Sequence, residues 1–222
     1  MMTPLAAAAS RRALATRNSR WARLLAARLA AAGVRPNSVS IAGVVVAGVS
    51  AVTFYISAGC AAEVRAALLL VAAACIQVRL LCNLLDGMLA VECGLQTPAG
   101  EIFNELPDRI ADVMILAAAG YAARGELPTA PILGWAAAVA ALFTAYVRVL
   151  GGALGLSQHF IGPMAKQHRM FVLTMAAILA AVETLTSRTA RAIPAALAVI
   201  LAGSMLTAMR RVHRIAVEAG AR

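Results

Sequence analysis

Residues 83–112 read NLLDGMLAVECGLQTPAGEIFNELPDRIAD. This run holds six of the chain's ten acidic residues: Asp86, Glu92, Glu101, Glu105, Asp108 and Asp112. Mostly apolar stretches flank it on both sides, so it reads as the end of one helix, a loop and the start of the next. Asn83 and Asp86 are three apart at the end of the first helix. Asn104, Asp108 and Asp112 follow at i, i+4 and i+8 along the second, with Glu105 on a neighbouring ridge. Two helix ends that each carry side-chain oxygens on one face can turn those faces toward each other.

The rest of the chain sets the medium in which this happens. Of 222 residues, 62% are hydrophobic and 14% are charged, and mean hydropathy is +0.81. Soluble domains carry roughly 25% charged residues. The excess excludes an ordinary cytosolic enzyme, a disordered chain and a secreted disulfide scaffold, and it specifies an all-α polytopic membrane protein. Six stretches approach the roughly 20 apolar residues a span needs: about 39–58, 64–85, 109–123, 129–151, 169–186 and 192–209. The third is short unless it reaches back into the polar run. Ahead of the first, residues 10–34 interleave Arg20, Arg23 and Arg28 with Trp21, Leu24, Leu25 and Leu29. That pattern predicts an amphipathic helix on the membrane surface, its arginines near anionic head groups, and not a nucleic-acid arm. No apolar core with a cleavage site marks a signal peptide. Cys60, Cys75, Cys82 and Cys93 form no CxxC pair, and the three histidines have no metal-ligand spacing.

Net charge is +10, and its distribution orients the bundle. With six spans, sixteen Lys and Arg fall on the side of the termini, including seven up to Arg35 and four from Arg210 onward. Four, Arg65, Arg124, Arg188 and Arg191, fall on the other. The positive-inside rule then predicts cytoplasmic termini and a cytoplasmic acidic cluster. The expected organisation is a cytoplasmic segment 1–37, a six-helix domain 38–209 and a basic tail 210–222.

Carboxylates at membrane depth are costly unless paired or metal-bound, and an oxygen-only donor set suits a hard cation such as Mg2+. Asp86 and Asp108 are read as functional; Glu92 and Glu101 are read as solvated at the interface. Gly87, Ala90 and Gly100 are small residues beside the acids, where a large ligand can approach the backbone.

The spacing Asn83-x2-Asp86-Gly87-x2-Ala90-Val91, then eight residues, then Gly100-x3-Asn104-x3-Asp108 resembles the signature of the CDP-alcohol phosphatidyltransferase family, D-x2-D-G-x2-A-R-x8-G-x3-D-x3-D. All 26 positions keep register. Pro36-Asn37-Ser38-Val39-Ser40 is similar to the PNxxT stretch before that family's first helix. Gly162 to Arg169 resembles the basic segment that opens its fifth. The resemblance implies an integral membrane enzyme of a bacterial inner membrane, working in phospholipid synthesis. A hydroxyl would attack the β-phosphorus of a CDP-linked donor, of the CDP-diacylglycerol class, and CMP would leave. It implies a divalent metal, Mg2+ or Mn2+, on Asn83, Asp86, Asn104, Asp108 and Asp112, with Asp108 as general base. It also implies an alcohol or alcohol-phosphate acceptor and a homodimer.

This chain departs from the signature at three positions. Asparagine stands at the first and third aspartates, Asn83 and Asn104, and valine at the arginine, Val91. Asparagine keeps a ligating oxygen but loses the charge, so a site meant for two cations holds fewer or weaker ions, or neighbours such as Glu105 and Asp112 compensate. Gly87, Ala90 and Gly100, with Arg148, Lys166 and Arg169, are the expected substrate-binding residues, the three cations facing a phosphate. Arg79, one turn ahead of Asn83, is placed to pair with an acid or the pyrophosphate. The expected function is therefore a variant phosphotransferase. The alternative is a catalytically impaired homologue that binds nucleotide or lipid or serves as an assembly partner. A transporter fits less well, because its charges would gather near the midplane.

Overall fold

The computed structural model describes residues 19–156, 161–187 and 189–221. The part of the expected surface helix before residue 19, and Arg188 and Arg222, lie outside these. The described residues form seven helices and no strand. Helix α1 is Arg20–Ala31, α2 Pro36–Ser57, α3 Ala62–Val91, α4 Gly100–Ala122, α5 Ala130–Ala153, α6 Lys166–Ser187 and α7 Ala192–Gly220.

Local chemistry sets the boundaries. Helix α1 stops where Gly33 takes φ +75°. Gly33 N–H then donates to the Ala30 carbonyl and Val34 N–H to that of Leu29, both at 3.0 Å, closing the helix end. Pro36 follows at the first position of α2, where its missing N–H costs nothing. Two helices run past their sequence-based limits. Helix α3 continues through the signature to Val91, and α4 reaches back to Gly100, which gives the short third stretch its length. Helix α7 likewise runs through most of the basic tail.

Helices α2 to α7 close a ring in the order α2, α3, α6, α7, α5, α4, back to α2. Their directions alternate along the chain, so α7 runs parallel to α5 and α4 parallel to α2. Ser40, Asp86, Asp108, Arg148, Lys166 and Arg211 gather at one end, at the starts of α2, α4 and α6 and toward the ends of α3, α5 and α7. At the other end Arg65 pairs with Glu126 at 2.8 Å, Tyr55 packs on Tyr121 with ring centroids 5.5 Å apart, and Glu183 accepts from Ala192 N–H at 3.0 Å. Helix α4 thus traverses the bundle like its neighbours.

The shared core is built largely from alanines, with Phe54, Leu69, Ile76, Ile115, Leu116, Met170 and Leu173 fully buried among them. Small residues bring helices close where lipid supplies no hydrophobic drive between them. Large apolar side chains such as Ile132, Val139 and Val45 face outward. Five helices, all but α1 and α4, are long and apolar enough to cross a membrane, which fits an integral membrane protein. Helix α4 carries Glu105, Asp108, Arg109 and Asp112 in its first half. Helix α1 packs on the site end of α3, where Ala22 and Ala26 meet Leu84, Leu85, Met88 and Leu89 in a small separate core.

Candidate active site

Because α3 stays helical to Val91, Arg79, Asn83 and Asp86 follow one another along one side of its last turns. The first turns of α4 present Asn104, Asp108 and Asp112 in the same way. Few direct contacts join α3 to α4, so side chains bridge them. Arg79 is 1% exposed. Its Nη2 donates to Asp108 Oδ1 at 3.1 Å, to the Asp108 carbonyl at 3.0 Å and to Asp112 Oδ1 at 2.9 Å. Asn83 Nδ2 donates to Asp108 Oδ2 at 3.3 Å.

Helix α6 supplies two more cations. Lys166 Nζ donates to both Asn83 Oδ1 and Asp108 Oδ2. Arg169, also 1% exposed, donates through Nη2 to Asp112 Oδ2 at 2.8 Å and through Nη1 to the Met164 carbonyl at 3.0 Å. From α5, Arg148 meets Glu105 at 2.6 Å, and Arg109 holds the other oxygen of Glu105 at 3.4 Å. Asp108 thus meets three cations, Arg79, Lys166 and, at 3.9 Å, Arg109, and Asp112 meets two, Arg79 and Arg169, the condition under which buried carboxylates persist.

Asp86 differs. It is 5% exposed, and Ser40 of α2 donates to its Oδ2 at 2.7 Å. Its Oδ1 is buried without a hydrogen-bond partner, and among the described residues the carboxylate forms no ion pair. It lines a cavity of about 10 Å³ with Ser40, Gly43, Arg79, Asn83, Asn104 and Asp108. That volume suits one water-sized occupant. Four signature positions, two carboxylates and two amides, therefore surround one small space with an unsatisfied anionic oxygen, a donor set that fits a hard divalent cation. Among the described residues no three His, Cys, Asp or Glu side chains come together as a metal cluster, because two of the four donors are asparagines.

The structure brings together Asn83, Asp86, Asn104, Asp108 and Lys166, with Arg148 at the rim. An added methyl at Gly100 would meet only Thr97, at 3.5 Å, which leaves room at the start of α4. Gly87 and Ala90 are half-buried on α3. Two residues depart from the sequence expectation. Asp112 lies outside the cavity lining, and guanidinium groups occupy both its oxygens; it anchors arginines where a metal ligand was expected. Arg169 is enclosed by Asp112, Met164 and Thr144, so it braces α6 where a substrate contact was expected.

Ser40 was absent from the expected site, although it stands at the last position of the Pro36–Ser40 stretch. Arg211 carried a quieter signal still, as one arginine in a basic tail. It is 5% exposed and donates to the carbonyls of Thr144 at 2.7 Å and Ile161 at 3.0 Å, tying α7 to α5 and to the loop before Lys166.

No protein-family model matches the chain, and no curated protein matches it in sequence. Solved structures do. The chain is similar to Mycobacterium tuberculosis phosphatidylinositol phosphate synthase (PgsA1) with CDP-DAG bound, with TM-score 0.73 and 21% identity over 89% of this chain and 94% of that one. The same synthase in complex with manganese and citrate gives 0.72 and 20% identity, covering 87% and 88%. Its apo form gives 0.69 and 20%, covering 85% and 93%. The fold is shared. The likeness spans most of both chains.

Proposed function

We propose that this protein is an integral membrane CDP-alcohol phosphotransferase of phospholipid synthesis. It moves a phosphatidyl group from CDP-diacylglycerol, or another CDP-linked donor, to an alcohol or alcohol phosphate. One observation carries the reading: the four signature positions, 26 residues from end to end, surround one cavity that holds an unsatisfied carboxylate oxygen. The shared fold supports it, since the similar synthase has been solved with CDP-DAG and with manganese.

In the reaction the acceptor oxygen bonds to the β-phosphorus, the bond from phosphorus to the bridging oxygen breaks, and that oxygen leaves with CMP. The hydroxyl proton passes to Asp108, which is the general base. A divalent ion, Mg2+ or Mn2+, held in the signature cavity with Asp86 among its ligands would neutralise pyrophosphate charge. Arg148, beside Glu105 of α4, would receive an acceptor phosphate. Gly100 and the half-buried Gly87 and Ala90 leave space for the donor. Helix α4 crosses the membrane as the third of six spans, both termini and the site face the cytoplasm, α1 lies on that surface, and the chain acts as a homodimer.

The test is CMP release by purified protein given CDP-diacylglycerol, Mg2+ or Mn2+, and a panel of alcohols and their phosphates. Release with at least one acceptor is expected, falling about 10²–10⁴-fold in Asp108→Asn. No CMP with any acceptor overturns the proposal. One observation favours a second reading, an impaired homologue that binds nucleotide or lipid: both Asp108 oxygens already accept from Arg79, Asn83 and Lys166. That reading predicts a thermal shift with CDP and metal but no turnover.

A further inference from the structure

We propose that the Lys166 ammonium permanently fills one cation place of this site, leaving a single place for a divalent ion at Asp86 and Asn104. The inference deepens the transferase reading and rests on it for the purpose of the ion.

An ammonium is a compact cation with three donors. From α6 it reaches an amide oxygen on α3, Asn83 Oδ1, and a carboxylate oxygen on α4, Asp108 Oδ2. Those are two oxygens on facing helices, the same kind of donor a hard cation would take. The asparagine matters here. Asn83 Nδ2 already lies 3.3 Å from Asp108 Oδ2. An aspartate at 83 would put two anions at that separation, a demand that one monovalent ammonium meets poorly. An amide there makes Asn83 and Asp108 together carry a single negative charge, which Lys166 matches.

The remaining charges point the same way. Asp108 is also paired with Arg79, and Asp112 is shared between Arg79 and Arg169. Asp86 is the carboxylate left over, nine-tenths buried, with Oδ1 unpartnered beside a cavity sized for one occupant. Counting Asp86, Glu105, Asp108 and Asp112 against Arg79, Arg109, Arg148, Arg169 and Lys166, the cluster carries a net +1. One divalent ion already covers the two charges of a pyrophosphate diester, and a second would add to the excess. Lys166→Met alone removes the ammonium, and Lys166→Met with Asn83→Asp rebuilds an anionic pair for a metal.

The experiment counts Mn2+ bound per chain, by electron paramagnetic resonance of the free ion, in the purified full-length protein. One Mn2+ is expected for wild type, none at this site for Asp86→Asn, and two for the Lys166→Met, Asn83→Asp double variant. Two ions or none in the wild type overturns the proposal, as does a folded double variant that stays at one. Should the double variant fail to fold, the wild-type count decides. Assaying CMP on the same wild-type preparation separates the two claims. One ion without CMP release upholds this inference and refutes the transferase, whereas release with two ions does the reverse.

Discussion

Arg79 gives a single nitrogen to two buried carboxylates on the next helix in the chain. Replacing it with methionine keeps the stem's packing and leaves Asp108 and Asp112 short of one cation. Breaking such a buried arrangement costs about 3–5 kcal/mol, and Arg79→Met is expected to show a loss of that order in equilibrium unfolding in detergent. Arg79→Lys should recover only part, since a point ammonium cannot reproduce a planar donor. At this scale the positions were legible and the pairings only in part. The fixed spacing from Asn83 to Asp108 named the site because spacing on a helix converts directly into a face. That Arg79 would find an acid followed from its place one turn ahead of Asn83. Nothing local linked Lys166 to Asn83 or Arg211 to Thr144, because such contacts depend on which helices become neighbours.

Helix α4 carries the acids in its first turns and a glycine contact near its end. A Cβ built on Gly120 would lie 2.5 Å from the Ala130 carbonyl oxygen, and one on Gly134 would lie 2.8 Å from that of Leu116. The backbones of α4 and α5 therefore cross with no side chain between them. Gly134→Val forces backbone against backbone, and overpacking of this kind costs about 1–3 kcal/mol or more. A lower thermal midpoint is the expected result, and a midpoint equal to wild type would contradict the contact. Since α5 also carries Arg148, the variant should weaken acceptor use before it abolishes folding. Helix existence was readable from apolar length, but the ends were not. Asp86 reads as the residue that ends a span at about 85, yet α3 continues through it to Val91, since inside the bundle Asn83 and Asp86 meet Lys166, Asp108 and Ser40, partners that a lipid-facing turn would lack.

Across the whole molecule, charge bias predicted two ends of unequal character, and the alternating helices bear this out geometrically: the arginines and lysine of the site share one end, and Arg65 and Arg124 share the other. On the proposed topology, six crossings with cytoplasmic termini, the loop of residues 124–128 lies outside. Gly125 stands in open space, so Gly125→Cys, in a chain whose four native cysteines are replaced by alanine, should react with an impermeant maleimide added to intact cells. Labelling only after lysis would reverse the orientation. The order of helices around the ring had no signal in one sequence, since every span offers similar alanine-rich faces. The ring also dictates a calendar for assembly. Lys166 trails Asp112 by 54 residues, and at ribosomal speeds of about 5–20 residues per second it emerges roughly 3–11 s later. During that interval Asp108 and Asp112 have Arg79 and the nearby Arg109 but neither cation of α6. A nascent chain arrested after α5 therefore presents under-neutralised carboxylates inside the bilayer, a flaw that a membrane protease can recognise and that the arrival of one helix removes.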